Sequence, residues 1–142
     1  MSVSSRLSLP ARIDSLGEVT AFVSDCALRQ GIAPGPVSKI ELALEEALVN
    51  LCTHAYPEGP GDVEIVCRLE GSRFEVEIVV TGIPFDLTAL PDPDLGAGVA
   101  ERRVGGLGVF LMKRMMDEVR YRREGERNIL TLVKIVPDRK NP

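Results

Sequence analysis

Two short stretches of this chain carry residue types that could do chemistry on a phosphate group. The first is ELALEEALVN, Glu41 to Asn50, in which Glu46 and Asn50 are four residues apart. Residues at this spacing share one face of a helix, so a carboxylate and a neutral amide oxygen would reach the same small volume. The carboxylate could accept a proton from an attacking hydroxyl or water, and the amide oxygen is a hard ligand that suits Mg²⁺. Taken alone, the same pair is also common on exposed helices.

The second stretch is RRVGGLGVF, Arg102 to Phe110, in which three glycines precede an apolar, helix-like run. Glycine lets the backbone approach a ligand closely, and the helix that follows adds the positive end of its dipole, which favours an anion. Arg102 and Arg103 could add charge-assisted contacts to phosphate. The alternative for this stretch is a flexible hinge at the start of a helix.

Two helices are predicted in the first half of the chain. SLGE, Ser15 to Glu18, has the spacing of a capping box at the start of the first helix, and Gly31 ends that helix. The second helix runs from near Pro36 to before Pro57, and apolar residues recur along one side of it. Because Glu46 and Asn50 lie off that apolar side, the second helix presents them away from its main packing face.

Five strands and a third helix, which follows the glycines, complete the pattern. The strands are predicted at SRLSLPA, DVEIVCRL, RFEVEIVV, EVRYRRE and NILTLVKIV. In RFEVEIVV the side chains of Phe74, Val76, Ile78 and Val80 point to one face of the sheet, because side chains alternate along a strand. The order β, α, α, β, β, loop, α, β, β predicts a two-layer α/β sandwich whose mixed, mostly antiparallel sheet has helices on one face. Residues 1–142 are expected to form a single domain.

Residues 82–104 separate the two pairs of later strands and have a different composition. Prolines, glycines and aspartates dominate there, and no helical periodicity is clear. Loops longer than about 15 residues without structure of their own are uncommon in compact domains and tend to be functional. This loop is therefore expected to be functional or mobile, and it lies between the two stretches that carry chemistry.

The composition excludes several classes of protein. The net charge of −4 over 142 residues, with both signs interspersed, argues against direct nucleic-acid binding. The three cysteines are scattered, which is typical of free thiols in a reducing compartment. The N-terminus lacks the apolar core of a signal peptide, and no run approaches the roughly 20 apolar residues that span a bilayer. We expect a cytoplasmic protein with no membrane partner.

Three segments occur in the order and at the separations of one family: EEALVNLCTHAY, GIPFD and GGLGVFLMKRMMDEVRYRREGERNILTLVK. The chain resembles the anti-sigma-factor serine/threonine protein kinases, the regulatory branch of the Bergerat-type (GHKL, histidine-kinase-like) ATPases. The resemblance covers residues from about 10 to about 136, nearly the whole chain. It implies the Bergerat ATPase fold, an ATP lid at residues 82–104, and ATP and Mg²⁺ as cofactors.

The resemblance also implies a role for individual residues. Glu46 matches the general base, Asn50 matches the Mg²⁺ ligand, and Gly82 matches the turn glycine that lines the adenine. Thr131 looks like a strand hydroxyl near the adenine, and Arg103 to Phe110 match the end of the lid and the phosphate-cradling segment. The residues implied to bind the nucleotide are Asn50, Gly82, Arg103, Gly105, Gly106, Leu107, Gly108, Val109, Phe110 and Thr131.

One position departs from the family pattern. The family places an acid two residues before the turn glycine, where it accepts a hydrogen bond from the adenine amino group, and this chain has Val80 there. Two functions therefore stay open. One is a kinase that phosphorylates an anti-sigma-factor antagonist protein and sequesters a sigma factor. The resemblance also implies a homodimer, since family members are commonly dimeric. The alternative is a catalytically weakened or nucleotide-independent regulator that binds proteins on the same fold.

Overall fold

The computed structural model describes residues 2–10, 13–54, 61–89 and 106–136. Within these ranges it has five strands, three α-helices and two short 3₁₀ turns, in the predicted order. The strands are β1 (Ser2–Pro10), β2 (Asp62–Glu70), β3 (Arg73–Thr81), β4 (Glu118–Glu124) and β5 (Arg127–Ile135). The helices are α1 (Leu16–Arg29), α2 (Pro34–His54) and α3 (Gly106–Met115), and the 3₁₀ turns are Ile13–Ser15 and Leu87–Ala89.

The strands form one sheet in the order β1-β2-β3-β5-β4, and each of these neighbouring pairs is antiparallel. β1 begins earlier than its pattern predicts, because it pairs with β2 along its whole length, from Ser2 opposite Glu70 to Pro10 opposite Asp62. β3 lies at the centre of the sheet. The segment that follows β3 therefore leaves the middle of the sheet, beside the hairpin formed by β4 and β5.

The helices pack on one face of this sheet, as predicted for a two-layer sandwich. The predicted inward row of β3 is confirmed, since Phe74, Val76, Ile78 and Val80 are all at most 1% exposed and belong to the hydrophobic core cluster. Full burial of such a side chain contributes about 1.5–3 kcal/mol relative to exposure. The core therefore fixes which face of the sheet the helices cover.

The opposite face of the sheet is covered by ion pairs. Glu75 lies within 4 Å of the guanidinium groups of Arg73 and Arg120, and Glu77 lies at similar distances from Arg68 and Arg122. The side chains of these arginines can also cover apolar surface with their methylene groups. This face therefore presents paired charges, and the candidate site lies on the helix side.

The start of α1 differs from the predicted capping box. The Ser15 hydroxyl donates a 2.7 Å hydrogen bond to the Pro10 carbonyl oxygen and makes no bond to the first turn of the helix. Ser15 has helical backbone angles because it ends the 3₁₀ turn that leads into α1. The capping-box prediction was therefore wrong, whereas the predicted end at Gly31 is confirmed by its positive φ of 83°.

None of the helices in the described ranges has both the length and the apolar character that crossing a bilayer requires.

Candidate active site

Helix α2 presents Glu46 and Asn50 one turn apart, as the sequence predicts. The Asn50 Nδ2 atom donates a 2.7 Å hydrogen bond to the Glu46 carbonyl oxygen, and Asn50 is only 7% exposed. Because this bond holds the amide nitrogen against the helix, the carboxamide oxygen is turned away from it. Asn50 therefore offers a hard oxygen ligand in a fixed orientation, which suits Mg²⁺.

The Glu46 carboxylate lies directly against Gly108 of α3. A methyl group at Gly108 would be 2.0 Å from Glu46 Oε2 and 2.9 Å from Glu46 Cδ, distances at which atoms overlap. Glycine is therefore required at this position if the carboxylate is to keep its place. This contact brings together the two stretches that the sequence singles out, although they are far apart along the chain.

Helix α3 begins at Gly106, so the glycine segment opens a helix as predicted. The first N–H groups of a helix have no partner within it, and the positive end of the helix dipole lies there, so this end favours an anion. Of the predicted phosphate-binding residues, Arg103 and Gly105 lie outside the described part of the chain, as does the side chain of Leu107. Their predicted contacts remain predictions.

The next two residues of the predicted phosphate segment have different surroundings. Val109 is 2% exposed and belongs to the hydrophobic core, so only its backbone is free to face a ligand. Phe110 is half-buried, and the Arg114 guanidinium carbon lies 4.8 Å from the centre of its ring. A cation this close to an aromatic face is attracted to it, so Phe110 and Arg114 stabilise the exposed side of α3.

The turn that follows β3 is held by the β4–β5 hairpin. The Gly82 N–H donates a 3.0 Å hydrogen bond to the Glu126 carbonyl oxygen, and Arg123 Nη1 donates a 2.7 Å hydrogen bond to the Gly82 carbonyl oxygen. Both bonds cross from the centre of the sheet to the neighbouring hairpin. The predicted turn glycine therefore has a fixed backbone position.

A residue that the sequence reasoning missed holds the rest of this turn. Asn128 of β5 is fully buried, and its Nδ2 atom donates a 2.8 Å hydrogen bond to the Ile83 carbonyl oxygen. Its Oδ1 atom accepts hydrogen bonds from the Phe85 N–H at 3.0 Å and from the Tyr121 hydroxyl at 2.6 Å. A buried polar side chain is tolerated because it is hydrogen-bonded, and here those bonds fix the turn at residues 82–85.

The sequence contains a signal that could have identified Asn128. It precedes Leu130 and Leu132, which point to the helix side of the sheet, and strand alternation puts Asn128 on that same side. A polar residue at the start of an apolar inward row needs a hydrogen-bonding partner. The partner is the turn after β3, which only the strand order places beside it.

Val80, which the resemblance aligns with the acid of the family pattern, lies in the same part of the molecule. It is fully buried, and in the strand register it stands opposite Val63 on one side and Asn128 on the other. The inner surface at this end of β3 is therefore apolar at Val80.

Thr131 is not brought to this site. In the strand register it stands opposite Glu77 and Arg120, which belong to the ion-paired face of the sheet. Strand alternation puts it on the other face from Asn128 and from the core. This corrects the expectation for Thr131, because the residue of β5 that lies beside Val80 and the turn glycine is Asn128.

The first part of the predicted lid is attached to α3. Leu87 is fully buried, and the Lys113 Nζ atom donates a 2.9 Å hydrogen bond to the Thr88 carbonyl oxygen. The Asp86 carboxylate accepts a 2.9 Å hydrogen bond from the Thr88 N–H and so caps this 3₁₀ turn. The lid therefore starts from a fixed point beside the glycine helix, and its remainder lies outside the described residues.

The described residues offer few metal ligands, which fits a metal ion that is held by the protein and by a bound ligand together. Within those ranges no group of three or more His, Cys, Asp or Glu side chains could hold a metal ion. Mg²⁺ commonly binds through one or two protein ligands together with water and phosphate oxygens. Asn50, whose Nδ2 atom is bonded back to the helix and whose carboxamide oxygen is one potential ligand, fits that arrangement.

The sequence of this chain is similar to a known protein family and to individual proteins. Residues 9–134 match the model of the histidine kinase-like ATPase domain family. The serine-protein kinase RsbW of Bacillus cereus strain G9842 is 27% identical over 117 residues, which cover 80% of this chain and 73% of that protein. The protein of the same name from Bacillus anthracis gives the same values of 27%, 80% and 73%.

Two solved structures share the fold. The crystal structure of the RsbU and RsbW domains of a Mycobacterium tuberculosis protein has a TM-score of 0.67 at 15% identity and covers 94% of this chain. This chain spans only 32% of that longer protein chain. The crystal structure of the SiaB–SiaC complex from Pseudomonas aeruginosa has a TM-score of 0.66 at 16% identity and covers 91% of this chain and 88% of that one.

These likenesses confirm the resemblance that the two sequence stretches indicate, and the family model spans both stretches together with the strands and helices that position them. The chain belongs to the histidine kinase-like ATPase domain family.

Proposed function

We propose that this chain binds ATP with Mg²⁺ and transfers the γ-phosphoryl group to a serine or threonine of an anti-sigma-factor antagonist protein. We further propose that it sequesters a sigma factor when that antagonist is absent. The observation that carries the proposal is the contact between the Glu46 carboxylate and Gly108. It places a candidate base next to a helix N-terminus that suits phosphate.

The relatives support this choice among the activities of the family. The curated relatives described above are serine-protein kinases that match most of this chain. One structural neighbour was solved as a complex of two proteins. Both observations favour a kinase that acts on a protein partner.

The described residues would divide the work of phosphoryl transfer. Glu46 accepts the proton of the attacking hydroxyl group, and the first N–H groups of α3 receive the phosphate oxygens. The Asn50 oxygen would hold Mg²⁺, which when bound neutralises charge on the triphosphate. The turn at residues 82–85 would lie beside the nucleobase, since hydrogen bonds from Arg123 and Asn128 fix the backbone of this turn.

Val80 favours the alternative function, in which the chain holds a protein partner without nucleotide. If the amino group of adenine is buried without an acceptor, the free energy of binding becomes less favourable by about 1–3 kcal/mol, which weakens nucleotide binding by roughly ten- to a hundredfold. The ordered arrangement of Glu46, Asn50 and Gly108 favours the kinase, because nucleotide-independent binding needs none of these three residues in this geometry.

Thermal unfolding with and without nucleotide tests the binding step. Millimolar ATP with Mg²⁺ should raise the melting temperature, since a ligand at a hundred times its Kd stabilises the folded state by about 2.7 kcal/mol. Asn50→Ala should lose the part of that increase that depends on Mg²⁺. An unchanged melting temperature at millimolar nucleotide would count against the proposal and in favour of the nucleotide-independent function.

Phosphoryl transfer is tested with the partner itself. A pull-down from the native cell extract, with and without ATP, identifies the partners, which are then purified and incubated with the chain and γ-labelled ATP. We expect label on a serine or threonine of one partner and none on the sigma factor. Equal capture of every partner with and without ATP, and no label, would support the alternative function instead.

A further inference from the structure

Two of the three cysteines line one cavity, where α1 packs against β1 and β2. The cavity has a volume of about 50 Å³, and its walls include Cys26 of α1 and Cys67 of β2. Cys67 is 2% exposed and belongs to the hydrophobic core, whereas Cys26 is only half-buried. One thiol of the pair is therefore accessible to a reagent, and the other is enclosed.

The two cysteine side chains also contact each other. The Cys67 thiol and the Cys26 side chain form a hydrogen bond, and burial, together with this neighbour, raises the pKa of the Cys67 thiol. The strand register holds Cys67 between Ser5 of β1 and Val76 of β3, on the inner face of the sheet. Cys26 lies in the last turn of α1, where its carbonyl oxygen accepts a hydrogen bond from the Gln30 N–H. Regular secondary structure therefore holds both backbones, with the two thiols together.

Two ordinary roles of a buried cysteine do not account for this pair. Among the residues that the structure describes, no group of three or more His, Cys, Asp or Glu side chains could hold a metal ion, so the pair lacks the further ligands of a structural zinc site. A cysteine that only packs as a small apolar residue needs neither a second thiol nor a cavity beside it, and this pair has both. The chemistry of two adjacent thiols is the role that fits.

The size of the cavity limits which reagent can enter it. Arg29, which is exposed, belongs to its walls, so the cavity reaches the surface at the end of α1. A volume of about 50 Å³ holds one or two water-sized molecules, and hydrogen peroxide has that size, whereas a peptide disulfide is far larger. Arg29 forms an ion pair with Asp25, which balances its charge. Selection at this cavity therefore depends on size more than on charge.

We propose that Cys26 and Cys67 form a thiol-modification site at which hydrogen peroxide converts the pair into a disulfide that links α1 to β2. In the first step the Cys26 sulfur attacks one peroxide oxygen, an S–O bond forms and the O–O bond breaks. The departing hydroxide takes the thiol proton and leaves as water, so the sulfur is oxidised to a sulfenic acid and the peroxide is reduced. In the second step the Cys67 sulfur attacks the Cys26 sulfur, an S–S bond forms and the S–OH bond breaks. This hydroxide takes the Cys67 proton and leaves as a second water.

The burial of the two thiols sets the order of these steps. The thiolate is the nucleophile, and a thiol with a raised pKa is seldom ionised, so the enclosed Cys67 is a poor target for the reagent. It reacts once Cys26 is oxidised, because a positioned neighbour acts at a very high effective concentration. The two sulfurs must approach to the bond length of about 2.0 Å, and the adjoining cavity leaves space for that movement. The proposal is independent of the proposed function, because none of these residues belongs to the phosphate site.

Peptide mapping of the full chain tests the proposal. The reduced chain is freed of reductant, treated with a small excess of hydrogen peroxide, alkylated and digested after arginine, lysine and glutamate residues, which separates the three cysteines into different peptides. We expect the intact mass to fall by two hydrogen atoms and the Cys26 peptide to be linked to the Cys67 peptide. Dithiothreitol should reverse both changes.

The disulfide should also raise the melting temperature. It would close a loop of about 40 residues, which restricts the unfolded chain. We expect the oxidised chain to melt roughly 10 °C above the reduced chain. Equal melting temperatures for the reduced and the fully linked chain would overturn the claim that the native positions of the two cysteines accept the bond.

Three variants test the role of each cysteine. In Cys67→Ala the sulfenic acid at Cys26 has no resolving partner, so dimedone should label Cys26; Cys67→Val keeps more of the buried volume in case the alanine variant does not fold. In Cys26→Ala neither a linked peptide nor dimedone label should form. Cys52→Ala is the matched control, since Cys52 is also half-buried but lines a different cavity, and its linked peptide should form at the wild-type yield.

The possible outcomes decide between this site and simple packing. A linked Cys26–Cys67 peptide that is lost in Cys26→Ala and kept in Cys52→Ala would support the site. Oxidation of Cys26 to the sulfinic acid without any linked peptide would overturn it, as would a linkage through Cys52 or between two chains. Dimedone label on Cys67 in Cys26→Ala would overturn the assigned order of the steps.

Discussion

We expect Gly108→Ala to lower the rate of phosphoryl transfer strongly while changing the stability of the fold very little. An added Cβ would lie 2.0 Å from Glu46 Oε2, whereas carbon and oxygen atoms that are not bonded lie at least about 3.3 Å apart, so the carboxylate must move by roughly 1.3 Å. The atoms that must move are the far end of a flexible side chain, and a new rotamer costs about 0.5–1.5 kcal/mol. Replacement of a helical glycine by alanine raises the free energy of unfolding by about 0.5–1 kcal/mol.

The free energy of unfolding should therefore change by less than about 1 kcal/mol, and the melting temperature by less than about 4 °C. Phosphoryl transfer should fall about a hundredfold, because a misplacement of about 1 Å at a reacting group has that effect. The assays are thermal unfolding and the rate of label transfer from ATP to the partner. Gly17→Ala and Gly35→Ala are matched controls, since both are helical glycines with nothing within 4 Å of the added methyl group, and both should keep full activity. Full activity of Gly108→Ala would refute the assignment of Glu46 as the base, and an unfolded variant would refute the argument on packing.

Four further predictions concern other parts of the molecule. Glu46→Gln should abolish phosphoryl transfer and leave the nucleotide Kd largely unchanged, and retained transfer would exclude Glu46 as the base. Thr131→Val should leave the nucleotide Kd unchanged, since Thr131 faces away from the site, and a tenfold weaker Kd would show that the strand assignment fails. Asn128→Ala should lower the free energy of unfolding by about 2–3 kcal/mol in urea titrations, because it removes three hydrogen bonds of a buried residue. Burial, with a smaller contribution from Cys26, raises the pKa of the Cys67 thiol, so Cys67 should resist iodoacetamide at pH 8 in the folded chain and react in urea. The same shift means that the unfolded chain loses the thiol proton first as the pH rises, so stability should fall above about pH 8.5.

Much of the fold follows from local patterns in the sequence. The row from Phe74 to Val80 alternates with polar residues, and it forms the buried face of β3 because side chains along a strand point to alternate sides. The helices follow from apolar residues at helical spacing, and α1 ends at Arg29, two residues before Gly31, because glycine there accepts a positive φ without strain. The proximity of Glu46 and Asn50 is likewise a property of one helix, so it could be predicted without tertiary contacts.

Two predictions failed because pairing with another segment, which the pattern does not show, decided the outcome. The Ser15 hydroxyl bonds to the Pro10 carbonyl oxygen instead of capping α1, and Ser15 belongs to the 3₁₀ turn that leads into the helix. Thr131 was assigned to the site from its resemblance to a strand hydroxyl, whereas its register puts it among the ion pairs of the other face. A sequence pattern shows which residues alternate, but it does not show which strand stands opposite them.

The sequence by itself therefore determines the elements, their apolar faces and the residue types that could act on a phosphate. Only the tertiary structure decides that Glu46 touches Gly108 and that Asn128 lies beside Val80 and fixes the turn at residues 82–85. The physical reason is the distance along the sequence over which each kind of interaction acts. Periodicity and turn preferences act over a few residues, whereas these contacts arise from the packing of α2 against α3 and from the order of strands in the sheet.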